Sequence, residues 1–147
     1  MGKENRRSPR VESHLPVTLL LRDNSSGRNL AEPQSGCLEN MSVHGVCLNV
    51  PHIRIDRYHL FYTFADNTKQ TIYLEVRLPD LSIPPICIPA RPVWFDHLLS
   101  EPTHPFAIGM EFLLDPDDEQ IIRLRDMLTR NERQEPWWRR LFHPQDS

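Results

Sequence analysis

The 147-residue chain lacks several features, and each absence removes a class of protein. No apolar run is long enough to span a bilayer; Val17-Thr18-Leu19-Leu20-Leu21 is broken at once by Arg22 and Asp23, so no membrane insertion is expected. The opening Met1-Gly2-Lys3-Glu4-Asn5-Arg6 has no apolar segment after its charges and carries Arg where myristoylation needs Ser or Thr. A cytoplasmic location is therefore expected. Cysteine is scarce: Cys37, Cys47 and Cys87 form an odd, widely spaced set that argues against a disulfide framework. A large basic excess is missing too, because the net charge is −3, so a DNA or RNA duplex is not the expected partner.

Catalytic signatures are equally absent. No serine sits in a GxSxG context, and the acidic residues are scattered in turns or on the C-terminal helical stretch, so no enzyme is expected. Cys37, His44, Cys47, His52 and His59 match no zinc spacing. Cys37 and Cys47 read as small apolar residues on strands, so the expectation is no metal and no cofactor.

What is present is strand-like. Fourteen prolines disfavour long helices before residue 115. Short β-prone runs cover Pro16–Leu21, Gly36–Asn40 and Val46–Val50, with a turn at Asp23-Asn24-Ser25-Ser26-Gly27. Tyr58–Phe64 and Thr71–Leu78 read as a hairpin around residues 65–68. Ile86–Phe95 and Phe106–Leu114 follow as two more strands, with Trp94 placed in the core. After Asp115 the period changes. Asp115 as N-cap, Pro116 at the first helical position and the stripe Ile121, Leu124, Leu128 predict a helix that Pro136 stops. Many short strands closed by one helix predict an all-β fold, a small antiparallel barrel with a C-terminal α-helix.

Two motifs carry chemistry. Lys3, Arg6, Arg7 and Arg10 against Glu4 give residues 1–10 a charge of +3, and Arg6 and Arg10 form RxxxR. Forked guanidinium groups donate to the O6/N7 edge of guanine and stack on its face. Asn40-Met41-Ser42-Val43-His44-Gly45 then places an amide, a hydroxyl and a glycine in an NxSxxG pattern. A compact anion with guanine bases suits this set better than a long duplex does.

The order and spacing of these motifs resemble the PilZ domain, a bacterial receptor module for cyclic di-GMP. Ala90-Arg91-Pro92-Val93-Trp94, Phe106–Phe112 and Asp115–Arg130 are similar to the family's later strands and closing helix. The resemblance spans roughly residues 6–130. It implies a six- or seven-stranded Greek-key barrel over residues 15–135, preceded by an arm of residues 1–14 and followed by a tail of residues 136–147. It further implies that Arg6 and Arg10 grip cyclic di-GMP from a linker that folds onto the barrel, with Arg7 as a phosphate partner. Asn40 would read a guanine edge, Ser42 would bond base or phosphate, and Gly45 would let the backbone pass close to the ligand. Family members act on motility, exopolysaccharide synthesis, pili and virulence through protein partners.

The chain departs from the family at Ser8, where many members carry a bulky residue, at Asn40 in place of the commoner Asp, and in a longer 51–70 connection. Trp137-Trp138-Arg139-Arg140-Leu141-Phe142 either covers the barrel or docks on a partner, with Trp137 and Trp138 as the contact residues. Two other readings stay open beside the receptor. One is an interaction adaptor of the same fold that no longer binds nucleotide. The other is a small metal- or nucleotide-dependent enzyme built on the cysteines and histidines.

Overall fold

Alternation of apolar and polar residues decides which side of each strand turns inward. The computed structural model describes residues 11–133. The chain runs β1 (Val11–Asp23), β2 (Gln34–Met41), β3 (Gly45–Val50), β4 (Arg54–Ile55), β5 (Tyr58–His59), β6 (Gln70–Val76), β7 (Ile86–His97), β8 (Phe106–Phe112) and α1 (Glu119–Arg133). β4 and β5 pair only with each other. The remaining six strands close an antiparallel barrel in the order β1-β2-β3-β8-β7-β6. Since β3 neighbours β8 and β6 neighbours β1, the connection from β3 to β6 crosses the barrel, the Greek-key step. The all-β barrel with a C-terminal helix expected from the sequence is the fold observed.

The core is one cluster. Leu15, Leu19 and Leu21 of β1, Leu38 of β2, Leu48 of β3, Ile72 of β6, Ile88 of β7 and Ile108 of β8 are fully buried within it. α1 adds Ile121, Leu124 and Leu128, one helical stripe, and packs against β7 and β1. Its position is fixed by polar contacts as well: Gln120 Oε1 accepts the Cys87 amide at 3.1 Å, and Arg123 donates to the Pro84 carbonyl at 3.2 Å.

Four sequence expectations need correction. β1 starts at Val11, so residues 11–14 belong to a strand and not to the arm. Pro16 is tolerated because β1 pairs with β6 only from Thr18 onward, leaving that side of the strand open at residue 16.

The Tyr58–Phe64 strand does not form. Tyr58–His59 pairs with Arg54–Ile55 across a tight turn where Asp56 takes a positive φ of 55°. Residues after it coil in turns, with the Thr63 amide donating to the His59 carbonyl at 3.0 Å and Ala65 to Phe61 at 2.9 Å. The reason is spacing. Leu60 and Phe64, four apart, both enter the core while Tyr62 between them is 71% exposed; a coil of helical pitch permits this, and a strand, which puts 60, 62 and 64 on one face, does not. His59 holds the coil: its Nδ1 accepts the amides of Phe61 and Tyr62 at 3.1 and 3.0 Å. β6 is consequently paired with β1 and β7.

The helix begins later than Asp115. Residues Asp115–Asp118 form a turn, and Asp118 is the cap, its carboxylate accepting the Gln120 amide at 2.8 Å while its carbonyl accepts that of Ile122. Trp94, the fourth correction, belongs to the site below.

Candidate functional site

The NxSxxG motif sits at the β2–β3 turn. Along β2, Leu38 and Met41 both face the core, which strict alternation forbids. A bulge between Leu38 and Asn40 supplies the extra residue, so Glu39 and Asn40 both stay half-buried on the outer side. Asn40 lies opposite Cys47 on one side and Glu12 on the other. The Ser42 amide donates to the Gly45 carbonyl at 2.9 Å, and Ser42 Oγ accepts the His44 amide at 3.2 Å. These bonds hold the Val43-His44 tip, and the His44 carbonyl in turn accepts the Phe112 amide at 2.9 Å.

Gly45 has a structural demand of its own. A Cβ there would stand 2.2 Å from the Met110 carbonyl oxygen of β8. The motif glycine is needed for the close approach of two strands, and its φ lies outside the left-handed region. Beside it, Glu111 pairs in register with both Gly45 and Arg91. Arg91 forms an ion pair with Glu111 and donates to the Ala65 carbonyl at 3.3 Å, which ties the turn to the β3–β6 connection.

Trp94 is 43% exposed and lies on the outer face. Ile86, Ile88, Ala90 and Pro92 alternate inward along β7, and continuing that count puts Trp94 inside. A bulge between Pro92 and Trp94 shifts the register by one residue and turns the indole out. There it covers Gly109, where a Cβ would meet the indole Nε1 at 2.0 Å. Trp94, Gly109, Cys47, Asn40 and Glu12 are successive cross-strand partners over five strands. They form one rank that ends at β1. The proline before Val93 and the glycine opposite were the only sequence signals of this arrangement. Arg91 and Glu111 carried none, because a cross-strand pair has no fixed sequence spacing.

Of the residues the sequence singled out, Asn40, Ser42 and Gly45 are brought together here. Arg6, Arg7 and Arg10 lie outside the described residues, as do Trp137 and Trp138. The described strand begins at Val11, the residue after Arg10, and Val11 pairs with Met41. None of the helices among the described residues is long and apolar enough to cross a membrane.

Comparison with known proteins places the fold. The family model described as the PilZ domain matches residues 4–130. A crystal structure of the PilZ domain of CeSA from a cellulose-synthesizing bacterium is similar at 15% identity and a TM-score of 0.51, covering 83% of this chain and 99% of that one. The PilZ domain of YcgR from Escherichia coli, solved with cyclic di-GMP, is similar at 11% identity and a TM-score of 0.52, covering 87% and 92%. No curated protein matches the sequence.

Proposed function

The chain belongs to the PilZ domain family, and on that premise we propose that it is a non-catalytic receptor for cyclic di-GMP whose ligand changes its contact with a partner protein. One observation carries the reading. The register pairs Val11 with Met41 and Glu12 with Asn40, so the strand that follows RxxxR starts beside the NxSxxG turn. The strand that begins one residue after RxxxR thereby lies against a motif that follows 29 residues further along the sequence.

In this reading Arg6 and Arg10 grip the guanine bases or phosphates, and Arg7 adds a phosphate contact. The Asn40 amide, turned outward by the bulge, reads a guanine edge, and Ser42 bonds base or phosphate. Gly45 acts through the fold, by keeping the turn against β8. The exposed indole of Trp94, in the same rank as Asn40, offers an aromatic face to a base. Ligand closes the arm onto the barrel, and the altered surface, with Trp137 and Trp138 as contacts, is what the partner meets.

Isothermal calorimetry tests the reading. Cyclic di-GMP is expected to bind, and GMP, GTP and cyclic AMP are expected to compete poorly, because only a bis-guanine ligand engages both motifs at once. Equal affinity for GMP, or no heat with cyclic di-GMP, would overturn it. Hydrogen exchange then tests the closing arm: residues 5–10, which precede β1, should gain protection with ligand while Phe106–Phe112 stays unchanged.

A further inference from the structure

A second cluster lies on the outer face of β1 and β2 and has no part in the nucleotide reading. Leu15 and Leu38 face each other in the core, which leaves His14 and Glu39 side by side on the outside. Cys37, two residues before Glu39, shares its face. His14 Nδ1 is 2.9 Å from Glu39 Oε1, and one ligand atom from each of His14, Cys37 and Glu39 lies within 4.8 Å of the others. We propose that His14, Cys37 and Glu39 form a binding site for a divalent transition-metal ion of the zinc class.

The donor set selects the ion. One imidazole nitrogen, one thiolate sulfur and one carboxylate oxygen suit zinc or cobalt, whereas magnesium and calcium take oxygen ligands. Bonds of about 2.0–2.3 Å in a tetrahedral site put ligand atoms roughly 3.5 Å apart, so the cluster has to draw in by about 1 Å. The His14 side chain, 68% exposed, is free to make that movement. The cluster opens on a groove of about 760 Å³, also lined by Thr103 and His104 from the β7–β8 connection. Because the cluster opens on this groove, water can supply a fourth ligand.

Charge balance supports the same ion. A dication between sulfur and carboxylate binds the cysteine as thiolate. The thiol proton passes to solvent, the metal–sulfur bond forms, and two negative ligands neutralise the two positive charges. Sequence spacing hid the site because its ligands come from adjacent strands, 23 residues apart between His14 and Cys37.

Cobalt titration of the untagged full chain tests the proposal. One equivalent of Co²⁺ should give the sulfur-to-cobalt charge-transfer band, release one proton in weak buffer, and be displaced by Zn²⁺ but not by Mg²⁺. Cys37→Ser should abolish the band while Cys47→Ser and Cys87→Ser keep it. His14→Ala and Glu39→Gln should each weaken binding roughly tenfold or more, since even residues behind the ligands cost that much. Circular dichroism checks that each variant remains folded. Absence of the band at stoichiometric metal overturns the site, as does its persistence in Cys37→Ser. Unchanged affinity in both folded variants, His14→Ala and Glu39→Gln, overturns it independently of the cysteine.

Discussion

Replacing Gly45 by alanine tests whether the motif glycine serves the fold. The added methyl would stand 2.2 Å from the Met110 carbonyl oxygen and 3.4 Å from the Glu111 Cα, and the first contact is backbone, which cannot rotate away. Ordinary contact begins near 3.4 Å, so β3 and β8 must part locally by about 1 Å. Overpacking of this kind costs about 1–3 kcal/mol, and parting the strands weakens the adjoining His44–Phe112 bond, worth about 1 kcal/mol. The expected loss is about 2–4 kcal/mol. At roughly 3 °C per kcal/mol for a chain of this length, the melting midpoint should fall by roughly 6–12 °C. Urea denaturation should show a lower midpoint with the same slope. Gly27→Ala is the control: its φ of 74° imposes strain, but nothing lies within 4 Å of the new methyl. It should lose only about 1–2 kcal/mol. If Gly45→Ala melts with the parent protein, or above Gly27→Ala, the close-approach reasoning fails.

Three further outcomes are expected. Arg10→Ala should weaken cyclic di-GMP binding by roughly tenfold to a hundredfold, more than Arg7→Ala, and leave the melt unchanged; calorimetry and circular dichroism read the two effects. His59 should titrate below the ordinary histidine range by NMR, because burial, and next the Arg54 charge, disfavour its cation. Its folded value is depressed, so its contribution to stability is present above about pH 6.5 and is lost as pH falls through the folded value. Protonating Nδ1 also removes the acceptor for the Phe61 and Tyr62 amides, so exchange of those amides should quicken in acid. Asp118→Ala should cost about 1 kcal/mol in urea unfolding by removing the cap on the Gln120 amide, whereas Asp115→Ala should cost less.

The sequence alone determined whatever depends on residues close together in the chain. Alternation placed Ile72, Leu74 and Val76 on one face of β6, and the spacing of Ile121, Leu124 and Leu128 defined the buried stripe of α1. The Asp23–Gly27 turn was equally local, with the Asp23 carboxylate accepting from Ser25 and Ser26. The barrel class and the closing helix followed from that pattern, and the family resemblance from the order of the RxxxR and NxSxxG motifs set on it. Tertiary structure decided what depends on register between strands. A single inserted residue turns a side chain to the opposite face, so the bulge before Trp94 overturned an otherwise sound count, and the bulge before Asn40 brought that amide outward. Packing also overrode local propensity at Tyr58–Phe64, where Leu60 and Phe64 reach the core while Tyr62 stays exposed, an arrangement that a coil allows and a strand does not. Cross-strand partners carry no sequence spacing, and so Arg91 with Glu111, and His14 with Cys37 and Glu39, became visible only once the barrel closed.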